Sequence, residues 1–316
     1  MAEIKMKPTR DGYGDGIVEM GAIDPRIVVL GGDLSDSTRA LWFWQKYPDR
    51  FFEFGIAEQN MLGAAAGLSL VGKIPWVSTY GVFVAGRAWD QIRTTICYSN
   101  LNVKIAGAHG GISVGPDGAT HQALEDVATM RVLPNMTVVV PCDYQETKKA
   151  IIWACKYVGP VYVRFGREPV PEVTSAADKF EVGKANMIND GHDVTIINNG
   201  PLLKHAMDAV EMLKAKGISA RLLNMHTVKP IDRRAIAKAA RDTGAIVTVE
   251  EHQVIGGFGS AVAEAMVQTH PVPMRFVGIQ DRFGGSGTPD ELFKAFGLTA
   301  KDIVAAVKAV LKDKQA

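Results

Sequence analysis

Cysteine is scarce in this 316-residue sequence, and the three that occur, Cys97, Cys142 and Cys155, are far apart. Such a set fits neither a framework of disulfide bonds nor a zinc site, whose ligands are closely spaced. Charge of one sign is missing as well, because 35 Lys and Arg residues balance 34 Asp and Glu residues. The sequence therefore offers no excess of charge to attract nucleic acid or an anionic membrane, and neither is predicted as a partner.

Long apolar runs are also absent, since none reaches the roughly 18 residues that span a bilayer. The opening stretch, MAEIKMKPTRDGYGDG, has no signal-peptide core. Together with the few cysteines, these absences predict a reduced, cytoplasmic protein. Glycine, in contrast, is abundant, with 32 residues in the chain against a usual share of ~7%.

Short apolar runs alternate with amphipathic stretches, a pattern typical of parallel α/β units. In the first half, strands are predicted at 27–30, 76–79, 103–106, 137–140 and 161–165, and helices at 58–71, 86–98, 122–132 and 145–158. Asp143 is the predicted N-cap of the last of these helices, since Glu146 follows three residues later.

The stretch 166–190 carries two prolines and many charges without a sustained apolar period, which indicates a linker. A second series follows, with strands predicted at 194–197, 220–223, 245–249 and 274–277 and helices at 205–215, 233–243, 260–268 and 301–312. The sequence therefore predicts an α/β protein of two doubly wound domains, at 1–170 and 191–316, with the linker at 171–190.

Glu58 lies in the segment FEFGIAEQNM, where a strand, a tight turn and a helix are predicted to follow one another. That places its carboxyl in the crevice where α/β folds bind ligands. The helix dipole would stabilise its anion by ~0.3–1 kcal/mol, whereas burial would favour a carboxyl that shares a proton with a ligand nitrogen. A solvated acid in the first helical turn is the alternative.

Tyr80 and Phe83 follow a predicted strand in the segment STYGVF. Two aromatic side chains at this position form either a wall for a planar heterocycle or part of the ordinary core. Both interpretations remain open on these residues alone.

A glycine-rich segment at 107–122 contains His109, Asp117 and His121. Its glycines allow close approach of the backbone to a ligand, and the histidines are able to donate to oxygens or exchange protons. Buried structural histidines are the alternative. The spacing of the two histidines matches no standard ligand motif, so no metal site is predicted.

Arg164 and Arg167 lie where a predicted strand ends. A guanidinium there is well suited to clamp a phosphate or carboxylate, although either arginine alone is also consistent with an ordinary surface residue.

Read together, these motifs resemble the pyrimidine-binding and C-terminal domains of a transketolase through nearly the whole chain. The resemblance is carried by GGDL (31–34), FGIAE (54–58), STYGVF (78–83), DGATHQ (117–122), RVLPNM (131–136), PCD (141–143) and EEH…GGFGSAV (250–262). It implies a thiamine-diphosphate-enzyme pyrimidine-binding domain followed by a transketolase C-terminal-like domain.

The resemblance also implies roles for individual residues. Glu58 matches the glutamate that hydrogen-bonds the aminopyrimidine of thiamine diphosphate, and Phe83 matches the aromatic that stacks on it. The other residues implied to line the cofactor are Asp33, Leu34, Ile56 and Tyr80. Those implied to bind substrate are Arg10, Ser37, His109, Asp117, His121 and Arg167, of which His109 and His121 join Glu58 as catalytic residues. The resemblance assigns the substrate phosphate to Arg167 and not to Arg164.

One half of such an active site is missing from the sequence. Gly14-Asp15-Gly16 is not followed by the asparagine-containing segment with which thiamine enzymes hold diphosphate and metal. The resemblance therefore implies a partner, an N-terminal transketolase subunit, that holds the diphosphate with magnesium or calcium. We expect a homodimer of this chain flanked by two such partners, a heterotetramer, with the second domain mainly stabilising the dimer.

The function that the resemblance implies is transfer of a two-carbon ketol unit from a ketose phosphate to an aldose phosphate, as in the pentose phosphate pathway. The alternatives are a split 1-deoxyxylulose-5-phosphate synthase, the beta-type subunit of a 2-oxo acid dehydrogenase, and a non-catalytic scaffolding homologue. The paired histidines and the arginines favour sugar phosphates.

Overall fold

The apolar runs of the sequence become strands of two large sheets in a computed structural model that describes residues 5–315, and a third sheet has only two strands. The strands are β1 (Met6–Pro8), β2 (Ile27–Gly31), β3 (Phe51–Glu53), β4 (Ile74–Tyr80), β5 (Lys104–Ala108), β6 (Thr137–Val139), β7 (Val161–Arg164), β8 (Pro169–Pro171), β9 (Asn186–Asn189), β10 (Val194–Asn198), β11 (Ala220–Asn224), β12 (Thr227–Lys229), β13 (Ile246–Gln253) and β14 (Met274–Ile279). The α-helices are α1 (Thr9–Ile23), α2 (Ser35–Thr38), α3 (Ala40–Lys46), α4 (Glu58–Leu70), α5 (Gly81–Arg87), α6 (Asp126–Arg131), α7 (Tyr144–Lys156), α8 (Leu203–Lys214), α9 (Arg233–Thr243), α10 (Phe258–Val267), α11 (Pro289–Ala295) and α12 (Ala300–Gln315). No described helix combines the length and apolarity that crossing a membrane requires.

The first sheet has the order β12-β6-β7-β5-β4-β2-β3 and is parallel except for β12. Its central strands are buried throughout, as expected of a parallel sheet covered on both faces. Helices α1, α3 and α7 bury Tyr13 and Ile151 against one face, and α4, α5 and α6 bury Met61 and Met130 against the other.

The second sheet has the order β14-β13-β10-β11-β9, with β9 antiparallel to its neighbour and the other strands parallel. Helices α8 and α12 contribute Leu213 and Val307 to the core on one face. Helices α9 and α10 contribute Ile236 and Val262 to a core shared with the first domain. The predicted fold class, two doubly wound α/β domains, is confirmed.

Four short strands, β1, β8, β9 and β12, lie where the sequence pattern predicted none. Strands β1 and β8 pair with each other antiparallel, and the other two join the larger sheets. Strand β9 falls within the stretch 166–190, and its mostly exposed side chains produce no apolar period. Strand β12 comes from the second half of the chain, yet it pairs antiparallel with β6 of the first sheet, with Thr227 opposite Val139. Strands β9 and β12 are too short or too exposed for a periodicity argument to find.

Helix boundaries in the first domain differ from the prediction at two places. The predicted helix 86–98 is instead α5, which ends at Arg87, followed by a π-helical segment, Gln91–Cys97. The predicted helix 122–132 begins only at Asp126, because Ala123 is still paired with Gly110 in an isolated bridge. The predicted N-cap is confirmed, since the Asp143 side chain accepts a hydrogen bond from the Glu146 backbone N–H at 2.9 Å.

Helix α1 escaped prediction because glycines with low helix propensity fill its first half. The glycines are required by close packing, since a Cβ on Gly14 would overlap Trp42 and a Cβ on Gly16 would crowd Ile151. Asp15 accepts a hydrogen bond from the Tyr144 hydroxyl at 2.5 Å. The Gly-Asp-Gly triplet is thus part of a helix contact.

Candidate active site

The carboxyl ends of the parallel strands in the first sheet meet at one edge, where α/β folds place ligands. Each strand there is followed by residues that the sequence singled out. Asp33 and Leu34 follow β2, Ile56 and Glu58 follow β3, Phe83 follows β4, His109 follows β5, and Arg167 follows β7. The fold therefore brings residues that are far apart in sequence to a single edge.

Glu58 is the first residue of α4 and only 3% exposed. Its Oε1 accepts a hydrogen bond from Arg87 Nη1 at 2.8 Å, and the Arg87 side chain is 50% exposed. The Arg87 guanidinium carbon also lies 4.2 Å from the centre of the Phe83 ring. A solvated Glu58 is therefore wrong: the carboxyl is buried beside a cation and an aromatic face.

Four rings form a continuous cluster at this edge. Tyr80 stacks on His109 with ring centres 3.9 Å apart and lies nearly parallel to Phe83 at 5.6 Å. His121 meets Phe83 edge-on at 5.4 Å. Tyr80 is buried and Phe83 half-buried, so Phe83 is the ring placed to meet a ligand and Tyr80 supports it.

His109 is buried, with its backbone in the left-handed region at φ 55°. Burial, reinforced by Arg10 and Arg167, lowers the pKa of its imidazole to about 3. His109 is therefore neutral across the physiological range, which suits hydrogen bonding to a substrate oxygen better than proton exchange. Its Nδ1 is buried and has no partner among residues 5–315.

Asp117 and His121 lie further along the same loop. Asp117 Oδ1 forms an ion pair with Arg167 Nη1 at 3.0 Å. The Nδ1 atom of His121 lies 2.9 Å from the Thr120 hydroxyl, and its ring is half-buried. The loop thus joins the histidines to the arginine that was predicted to bind phosphate.

Three arginines converge beside His109. Arg10 Nη1 donates to the backbone oxygen of Ser37 at 2.9 Å, and Arg39 Nε pairs with Asp11 at 2.9 Å. Burial and the nearby cations of Arg39 and Arg167 lower the pKa of Arg10. Partly exposed guanidinium groups that repel one another are stabilised by an anion bound between them.

Arg164 has a different environment. It is 3% exposed, and its Nε forms an ion pair with Asp126 at 2.9 Å. Its Nη2 donates to the backbone oxygens of Ala123 and Glu251 at 2.8 and 2.9 Å. This engagement makes Arg164 a structural residue, in agreement with the preference for Arg167.

The residues predicted to line a cofactor form an open rim beside Glu58. Ile56 is 73% exposed, Leu34 is half-buried, and Asp33 is exposed with φ 59°. The Asp33 backbone N–H donates to Glu53 at 2.7 Å, which fixes this turn. A buried carboxyl, an aromatic face and an exposed aliphatic side chain together fit a planar heterocycle that carries a hydrogen-bonding nitrogen. Within residues 5–315, no three His, Cys, Asp or Glu side chains are grouped closely enough to hold a metal ion.

Two family models match this chain: "Transketolase, pyrimidine binding domain" over residues 5–172 and "Transketolase, C-terminal domain" over residues 183–303. The chain belongs to the transketolase family. Its pyrimidine-binding domain is that of a thiamine diphosphate enzyme family, and this domain carries the whole edge described above.

Relatives in the transketolase family match from end to end. The chain is 45% identical over 309 residues to a "Putative transketolase C-terminal section" of Methanocaldococcus jannaschii, covering 97% of each chain. It is 42% identical over 314 residues to the "6-deoxy-6-sulfo-D-fructose transketolase subunit SqwH" of Clostridium sp. (strain MSTE9), covering 99% of this chain and 98% of that one. A solved structure described as "Split gene transketolase, inactive beta4 tetramer" has a TM-score of 0.91 at 52% identity, covering 97% of this chain and 99% of that one.

Three residues at the edge of this transketolase-family domain were missed by the sequence analysis. Arg39 and Arg87 lie in no quoted motif, and only their contacts with Asp11 and Glu58 place them at the site. Glu251 lies in the EEH segment, but its contact is with Ser113, 138 residues away. The only signal in the sequence was a local one for Glu251, a carboxylate just after the predicted strand 245–249.

Proposed function

We propose that this chain is the C-terminal subunit of a two-chain transketolase that transfers a two-carbon ketol unit from a ketose phosphate to an aldose phosphate. The observation that carries the proposal is the buried Glu58 carboxyl, held by Arg87 next to the half-buried ring of Phe83. The names of the relatives support the same conclusion, since they describe a C-terminal section, a subunit and a split gene product.

Thiamine diphosphate, when bound, supplies the carbon that carries the two-carbon unit between sugars. In this chain, Glu58 would hold a proton between its carboxyl and the pyrimidine nitrogen, while Arg87 fixes Oε1. Phe83 would stack on the ring, supported by Tyr80. Asp33, Leu34 and Ile56 would form the open side of the pocket, which a second chain completes.

The substrate would lie over the ring cluster and the arginines. His109, neutral and locked by its stack on Tyr80, would donate a hydrogen bond to a sugar oxygen, with His121 opposite it and Asp117 orienting a hydroxyl. Ser37, Arg10 and Arg167 would bind the terminal phosphate, with Arg39 adding charge. The relative from Clostridium sp. is named for a sulfosugar, whose sulfonate also presents anionic oxygens to such a cluster.

We assign the diphosphate and a magnesium or calcium ion to an N-terminal subunit. A homodimer of this chain with two such partners, a heterotetramer, fits the open rim at Ile56 and the description of a similar chain's tetramer as inactive.

Three free, buried cysteines are consistent with a cytoplasmic location, and we place the reaction among pentose phosphates. We retain 171–190 as the proposed linker between 1–170 and 191–316, with β9 at its end pairing with β11 of the second sheet.

The test is to purify the complex from its native source and assay ketol transfer by the chain alone and by the complex. We expect no turnover without the partner, and Glu58→Gln should lower kcat of the complex by roughly 100-fold or more. Glu264→Gln is the matched control, because Glu264 also pairs with an arginine, Arg131, but lies on α10. Full activity of the chain alone, or of the Glu58→Gln complex, would contradict the proposal.

Replacing the ketose phosphate with pyruvate separates the enzymatic alternatives. Turnover of pyruvate with an aldehyde phosphate would indicate the synthase, and transfer to lipoamide would indicate the dehydrogenase. A complex that turns over neither kind of donor would indicate the scaffolding homologue.

A further inference from the structure

Two adjacent glutamates in β13 of the second domain point in opposite directions, as neighbours in a strand do. The Glu250 carboxyl accepts hydrogen bonds from the backbone N–H groups of Phe258 and Gly259, both at 2.7 Å, at the start of α10. Glu251 reaches the other way, and its Oε1 accepts from the Ser113 N–H of the first domain at 2.6 Å. Both side chains are 1% exposed, so each acts within the protein interior.

The segment that Glu251 contacts is residues 109–121, here named the substrate loop. It begins at His109, passes through the 3₁₀ segment Ile112–Asp117 and ends at His121. Gly111 in this loop has φ 95°, and a Cβ there would overlap the Glu251 carboxyl. The first turn of the substrate loop is therefore shaped around this carboxyl.

Other contacts also hold the substrate loop. Gly110 donates to the backbone oxygen of Phe165 at 3.1 Å, Gln122 Nε2 donates to the Ile112 oxygen at 3.1 Å, and Asp117 pairs with Arg167 at 3.0 Å. Gly111 donates to the backbone oxygen of Ala123 at 2.9 Å. At the far end, the Ser286 hydroxyl donates to the Pro116 oxygen at 2.8 Å. Glu251 contributes a buried carboxyl instead, and hydrogen bonds to charged groups are the stronger kind, at roughly 1.5–3 kcal/mol. The nearby Arg164 guanidinium provides a compensating charge, although burial still raises the pKa of Glu251.

We propose that Glu251 is a positioning residue through which the second domain sets the conformation of the substrate loop. It holds the turn after His109, and thereby the placement of Asp117 and His121, without touching the residues around Glu58. The inference that this affects catalysis rests on the proposed function, whereas the inference about the loop rests on the contacts alone. It gives the second domain a role beyond the dimer stabilisation predicted from sequence.

The first experiment measures amide hydrogen exchange in the full chain and needs no activity. Glu251→Ala should speed exchange at residues 110–115 by roughly 10-fold or more and leave residues 58–62 unchanged. Glu251→Gln keeps an acceptor for the Ser113 N–H and should restore most of the protection. It also provides a folded variant if Glu251→Ala does not fold. Glu250→Gln, a matched buried carboxyl on the same strand, should affect α10 only. Unchanged exchange at 110–115 in Glu251→Ala, or equal acceleration there in Glu250→Gln, would overturn the proposal.

The second experiment uses the complex with its partner. Glu251→Ala should raise KM for the ketose phosphate by roughly 10-fold and change kcat little, whereas Glu250→Gln should leave KM as it is. An equal fall in kcat with unchanged KM would refute the positioning role in catalysis. If the wild-type complex shows no ketol transfer, the proposed function fails, while hydrogen exchange still decides whether Glu251 holds the loop.

Discussion

Arg164 and Arg167 are three residues apart at the end of the same strand, yet their surroundings are opposite. Arg164 is 3% exposed and satisfied by Asp126 and two backbone oxygens. The Arg167 side chain is 34% exposed, pairs with Asp117 at 3.0 Å and Glu168 at 3.4 Å, and lies near two further arginines. Residue type and position alone therefore do not identify a candidate anion site. What marks Arg167 as a candidate is partial exposure to solvent beside other cations.

The strongest consequence of this difference concerns the free energy of unfolding. Arg164→Met should destabilise the protein by about 3–5 kcal/mol, because it leaves the Asp126 carboxylate buried without its cation. Denaturant unfolding of the chain measures this. Arg26→Met, which removes an exposed ion pair with Asp24, is the control and should cost less than ~1 kcal/mol. If the two variants were equally stable, the distinction between the buried, fully paired Arg164 and a solvent-exposed arginine would fail.

A pH dependence of stability follows from another buried, hydrogen-bonded side chain, that of Glu146. Glu146 accepts from the Cys142 N–H and from Asn224 between the domains, and burial raises the pKa of its carboxyl to about 7. The folded chain therefore keeps a proton on Glu146 between about pH 4.5 and 7 that the unfolded chain releases. The protonated Glu146 carboxyl contributes its full stabilisation below about pH 4.5. That contribution, roughly 3 kcal/mol, is lost as the pH rises through 7.

Thermal unfolding across pH 5–8 tests this dependence. Burial lowers the pKa of His109, His226 and His252, which oppose this dependence equally in both proteins. The Tm of the wild type should therefore fall relative to that of Glu146→Gln as the pH rises from 5 to 8. Glu250, whose pKa burial also raises to about 7, would sustain part of the slope in the variant. Parallel curves for the two proteins would show that Glu146 does not titrate in this range.

The smallest effect concerns binding of the phosphorylated donor by the partly exposed Arg167. Arg167→Gln should change stability little, since its ion pair is partly exposed. It should raise KM for the phosphorylated donor in the complex roughly 10- to 100-fold, the loss expected for hydrogen bonds to a charged group. Arg26→Gln again serves as the control. An unchanged KM would remove Arg167 from the proposed anion site.

The sequence indicated more of the second domain than of the first, for a physical reason. Helix α9 occupies the predicted 233–243, because its apolar positions lie on one face and Asp232 caps it. Helix α1 was missed, because Gly12 and Gly14 were selected by packing and lower the local propensity. Local pattern identifies an element only where local preference and tertiary packing agree.

The candidate site shows the same division. Glu58, Phe83 and the histidines lie in local motifs beside strand ends, so their types and spacing were informative. Arg87 and Glu251 have meaning only through contacts with residues distant in sequence, Glu58 and Ser113. No pattern in a single sequence records such a contact.

Strand β12 has one more consequence. The three residues Thr227–Lys229 close the outer edge of the first sheet, although they belong to the second half of the chain. Cutting the gene between its two family matches would therefore remove the outer neighbour of β6, which would stay paired with β7 on its other side. The outer side of β6 would then present unpaired backbone amides and carbonyls. Such an open edge pairs with strands of other chains and promotes aggregation. The two domains are therefore expected to remain in one polypeptide.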